Sequence, residues 1–89
     1  MSERGQQVAN ITYYVLAAFV RGEDGELTAE PPVEMPSSTA AVSRARGMAA
    51  TKAGVIAFSR TGDPEAGEFA DAVVLFRAGE VPDTVFDHG

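Results

Sequence analysis

Val8-Ala9-Asn10-Ile11-Thr12-Tyr13-Tyr14-Val15-Leu16-Ala17-Ala18-Phe19-Val20 is the stretch on which the fold turns. Ile, Val, Thr, Tyr and Phe suit a pleated surface, so the reading is a strand over residues 8–20. Strand alternation sets Ile11, Tyr13, Val15, Ala17 and Phe19 on one face and Thr12, Tyr14, Leu16, Ala18 and Val20 on the other. Both faces are largely apolar. A sheet with one wet face alternates apolar and polar residues, so this strand calls for cover on both sides.

Working outward, Asp24-Gly25 ends the strand in a tight turn, because glycine tolerates the positive φ that such turns need. A second strand is expected over Leu27–Val33, short, at an edge or finished by Ala29, because Pro31 and Pro32 lack amide donors. Ser37 or Ser38 then caps a helix expected over Thr39–Lys52. Ala41, Val42, Ala45, Met48 and Ala49 make its apolar stripe. The stripe is mostly alanine, so the helix can sit close to a sheet while burying little area. Gly47 weakens it and Gly54 reads as its stop. Val55–Arg60 and Phe69–Phe76 read as a third and fourth strand forming a hairpin across a Gly- and Pro-bearing loop. In the fourth, Ala72, Val74 and Phe76 are expected on one face and Val73 and Leu75 on the other.

The fold class is therefore α+β: one helix layered on a mainly antiparallel four-stranded sheet, in the order β-β-α-β-β. Residues 1–7 read as a flexible N-terminus, 8–82 as a single domain and 83–89 as a flexible C-terminal tail whose Val85 and Phe86 could dock back.

Composition narrows function chiefly by exclusion. The chain has 89 residues, 45% of them hydrophobic, but 15 are alanine and the bulky core is small. It has no cysteine, which removes disulfide scaffolds, thiolate metal sites and thiol nucleophiles. A net charge of −6 disfavours nucleic acid as a partner. No apolar run approaches the ~20 residues that span a bilayer, and no secretory signal is legible, so the expected setting is cytoplasmic, without membrane contact.

Few residues could carry chemistry. His88, the single histidine, lies one residue from the end. Ser59, Arg60, Thr61 and Asp63 place a hydroxyl, a cation and a carboxylate close together, an ordinary composition for a turn after a strand. The acidic turns, Glu23, Asp24 and Glu26 in one and Asp63, Glu65 and Glu68 in the other, lack the spacing of a calcium loop. Arg44, Arg46, Lys52 and Arg60 fall in a window with no acid, read as a solvated surface whose cations pair with Glu23, Asp24, Glu26 or Glu68. No catalytic residue, metal site or cofactor is assigned.

Two resemblances can be drawn. Tyr13-Tyr14-Val15 with Phe19 and an alanine-rich helix is similar to the opening of peptidoglycan-binding SPOR domains over about ten residues, but the second helix of that family is missing. Gly62-Asp63-Pro64-Glu65, Asp71-Ala72-Val73-Val74-Leu75 and Gly79-Glu80-Val81-Pro82 resemble short bacterial proteins that carry no assigned activity. That resemblance implies a small domain and no more.

Two functions fit these features. The first is a non-enzymatic interaction or accessory protein, homodimeric through a sheet face, with interface candidates Tyr14, Val15, Leu16, Val73 and Leu75; an unidentified protein partner is the other occupant such a face would take. The second is a ligand-binding or enzymatic dimer with a pocket lined by Tyr13 or Tyr14, Phe19 and Phe58, and Arg60 as an anion anchor.

Overall fold

A computed structural model describes residues 10–82. The expected terminal segments 1–7 and 83–89, with Val85, Phe86 and His88, lie outside the described residues, as do Val8 and Ala9. In chain order the elements are β1 (Ile11–Arg21), β2 (Leu27–Ala29), β3 (Val33–Met35), α1 (Ser38–Ala49), β4 (Gly54–Asp63), β5 (Glu68–Phe69) and β6 (Val73–Gly79). The class is α+β, with one helix on a curled sheet whose described pairings are all antiparallel.

Among the described residues the sheet has six strands rather than four. Pro31 and Pro32 split the expected second strand in two. Before them β2 pairs with the end of β1, Phe19 facing Ala29 and Arg21 facing Leu27. After them β3 pairs with its middle, Tyr14 facing Met35 and Leu16 facing Val33. The expected fourth strand also divides. Glu68 and Phe69 form β5 beside Asp63 and Gly62, and the chain rejoins the sheet only at Val73.

The spine is a nine-pair ladder between β1 and β4, from Ile11 opposite Gly62 to Phe19 opposite Gly54. On one face Leu16, Val55 and Ala57 pack beneath Ala41 and Ala45 of α1, with Tyr14, Met35, Met48, Leu75, Phe76 and Ala78 around them. Ser37 caps the helix, its hydroxyl accepting from the Ala40 amide at 3.1 Å. The helix is shorter than expected. The amides of Thr51 and Lys52 both donate to the Met48 carbonyl at 3.0 Å, tightening the last turn before Gly54. Gly54 starts β4 and does not stop the helix.

β6 departs from simple alternation. Phe58 faces Val74 but Ala57 faces Phe76, so Leu75 is an extra residue, a β-bulge. Leu75 and Phe76 consequently both pack on the helix side. Val74 and Phe76 do not share a face, as strict alternation would have them do.

The helix–sheet contact depends on small side chains. Ala45 has no exposed surface and nothing larger fits without moving the helix. Ala45→Leu should destabilise the protein by about 1–3 kcal/mol. Gly47 is exposed, and a Cβ there would meet nothing within 4 Å. Gly47→Ala should therefore stabilise by about 0.5–1 kcal/mol. Paired denaturant melts of the two variants test both signs; a neutral Ala45→Leu would refute the close-packed helix.

Candidate functional site

The face of the sheet away from α1 is the side that the sequence leaves without a second layer. Odd positions of β1 and even positions of β4 point there, with Val15 opposite Phe58 and Ala17 opposite Ile56. One end of this face is covered by the chain itself. After β6, residues Glu80–Pro82 cross it, and Val81 packs on Ala17, Phe19 and Ile56 with Leu27 and Phe58 at the margin.

Glycine makes this crossing feasible. A Cβ on Gly54 would lie 1.8 Å from the Glu80 carbonyl oxygen, and one on Gly79, whose φ is +71°, would meet the Ala53 carbonyl. The Glu80 amide donates to the Ala53 carbonyl at 2.9 Å. The Arg77 guanidinium donates to the Val81 carbonyl at 3.0 Å, and Arg21 pairs with the Glu80 carboxylate. Together these contacts pin a short strap over the face.

Beyond the strap the face opens into a groove of about 440 Å³, lined by Val15, Ala17, Phe19, Leu27, Ala29, Phe58 and Pro82, with Glu30 and Pro32 on its rim. A second hollow of about 240 Å³, lined by Tyr13, Val15, Pro32, Val33 and Glu34, adjoins it through Val15 and Pro32. Farther along, the Tyr13 and Phe69 rings lie 6.1 Å apart at a 47° tilt. A Cβ on Gly62 would strike the Phe69 ring edge, so glycine lets that ring lie against the ladder.

Of the pocket candidates, Tyr13, Phe19, Phe58 and Arg60 belong to this face, Arg60 standing opposite Tyr13. Tyr14 belongs to the other, against the helix-side cluster. Phe19 is nearly enclosed beneath Val81, so it forms the groove floor rather than a free contact. The interface candidates also separate. Val15 is half-buried on the groove face, and Leu16 is 1% exposed inside the helix-side core. Leu75 is half-buried on the helix side through the bulge, while Val73 is 58% exposed at the edge. The sequence reading missed Val81, Phe69 and Pro82. The Gly79-Glu80-Val81-Pro82 pattern was the available signal, since a glycine able to turn the chain precedes an apolar residue.

The charged residues do ordinary work. Asp24 and Asp63 each accept from an amide two residues on, Glu26 and Glu65, at 3.0 Å, closing their own turns. Lys52 pairs with Glu30 at 2.9 Å, a partner outside the acidic turns. Arg46 lies 5.8 Å over the Phe76 ring, a cation–π contact. What the groove offers is apolar area with one carboxylate, Glu30, at its rim. It can bury an apolar surface, and among the described residues that line it no nucleophile and base are brought together. No protein-family model matches the chain, and neither a curated protein nor a solved structure is detectably similar to it.

The strap is open to test through Gly54→Ala, which should push Glu80 off the sheet, expose Phe19 and Ile56 and cost about 2 kcal/mol or more. Stability by urea titration and binding of an apolar dye report the two effects; a variant with wild-type stability and no added dye binding would show that the strap does not need glycine there.

Proposed function

We propose that this chain is a small non-enzymatic interaction or accessory protein that works as a homodimer, joined through the sheet face opposite α1, in the cytoplasm. The observation that carries the reading is the apolar groove running from Tyr13 and Val15 to Phe58 and the strap. An apolar surface of this kind on a small domain marks an interaction site. A second copy is the commonest occupant, since soluble oligomers are mostly closed two-fold homodimers. No helix among the described residues is long and apolar enough to cross a membrane, which is compatible with a protein that acts away from one.

The volume of the groove supports a second reading, an apolar small-ligand site. Such sites run from about 300 to 1,000 Å³ with few polar groups, and about 440 Å³ with a rim carboxylate falls in that range. In that case the dimer would leave the groove accessible.

The test is solution mass by light scattering over a concentration series. The expected result is about twice the 9.3 kDa chain mass at low micromolar concentration, reduced to a folded monomer by Val15→Glu. A wild-type monomer throughout would overturn the homodimer. A dimer that persists in Val15→Glu, with apolar dye displaced competitively by a saturated fatty acid, would favour the ligand site.

A further inference from the structure

The two edges of the sheet are built differently. One edge is broken into β2 and β3, three residues each, with Pro31-Pro32 between them and Glu34 in the second. These are the devices by which proteins block strand addition. The other carries β6, seven residues reading Val73-Val74-Leu75-Phe76-Arg77-Ala78-Gly79, with Val73 58% and Val74 47% exposed. Among the described residues no strand pairs with its outer side.

From this asymmetry we propose that the outer edge of β6 is a second self-association surface, on which β6 of another copy pairs antiparallel about a two-fold axis at Val74. Charge selects the occupant. Downstream of the bulge β6 has two guanidinium groups, Arg46 of α1 over Phe76 on the helix side and Arg77 on the other face, and Glu80 beyond Gly79 is matched by Arg21. The chain entering β6 is acidic, with Glu68 and Asp71. Antiparallel pairing with a second copy brings the acidic end of each strand to the basic end of the other, twice over. With Val74 opposite itself, the Leu75 bulge sets Val73 of one copy opposite Phe76 of the other, both on the helix side. There an open groove of about 490 Å³ between α1 and β6, lined by Val42, Ser43, Arg46 and Leu75 among others, can receive the Val73 side chain. This surface is separate from the strapped face and does not rest on the reading of that face.

The chain has no cysteine, which gives a clean experiment. Directly opposed residues of paired strands have Cα atoms about 4.5–5.5 Å apart, within disulfide range. Val74→Cys is expected to form an intermolecular disulfide under mild oxidation, both alone and with Val15→Glu, while Thr28→Cys on β2 is expected to form none. Asp71→Arg should weaken edge pairing at least about fivefold, and Arg46→Asp added to it should restore most of the loss. These are measured by sedimentation in the Val15→Glu background at high micromolar concentration, above the low micromolar range in which that variant is expected to be a monomer, with circular dichroism confirming the fold. A Val74→Cys chain that forms no intermolecular disulfide overturns the proposal. So does a cross-link that disappears with Val15→Glu, or one formed equally at Thr28→Cys, or an Asp71→Arg defect that the charge swap leaves unrepaired.

Discussion

The ladder between β1 and β4 is the constraint from which the rest of the structure follows. It is nine pairs long, and its central residues are apolar on both faces. The helix takes one face with Ala41 and Ala45, and the Glu80–Pro82 strap takes part of the other with Val81. Neither cover is large. The helix buries chiefly alanine, and the strap contributes one aliphatic side chain held by backbone and guanidinium contacts. The described residues supply one full layer and part of a second, in keeping with the small share of surface that small domains bury.

Small residues make that thin cover effective. Ala17, Ala18, Ala41, Ala45 and Ala57 are all buried, and Gly54 admits backbone where a side chain would stand. Close approach replaces bulk. Dispersion contacts remain dense because the layers are near, although each residue removes little area from water. The same economy leaves larger hydrophobes toward the margins, where Ile11, Phe69, Val73 and Val74 keep much of their surface.

Much of this was legible in the residues. The apolar character of both faces of Ile11–Val20, the Asp24-Gly25 turn, the Ser37 cap and the Ala-rich stripe all follow from local chemistry. What local chemistry could not show was tertiary. The division of the second strand was implied by Pro31-Pro32, but the pairing of both fragments with β1 depends on how the sheet curls. The bulge at Leu75 has no signature in Val73-Val74-Leu75-Phe76, since every residue there suits a regular strand. The strap has only Gly79 as a local signal, because Val81 is one apolar residue among charged and proline neighbours. Its burial depends on Gly54, 27 positions earlier. For the candidate site, periodicity placed Tyr13 and Tyr14 on opposite faces correctly, but which face lay under the helix was decided by α1 itself.

The bulge acts as a phase shift in a two-residue wave. Upstream of Leu75, β6 is set so that Val74 belongs to the groove side. Downstream it is offset by one, so that Phe76 and Ala78 belong to the helix side while Arg77 turns toward the strap and holds Val81. A single strand thus runs in two phases, one suited to an edge and one to a core. Were β6 to pair regularly, with Leu75 taking its turn in the ladder, the downstream half would be inverted, carrying Arg77 under the helix and Phe76 out to the strap. A chain lacking Leu75 would keep both halves in phase with β4, so what the extra residue adds is one more apolar side chain beneath the helix.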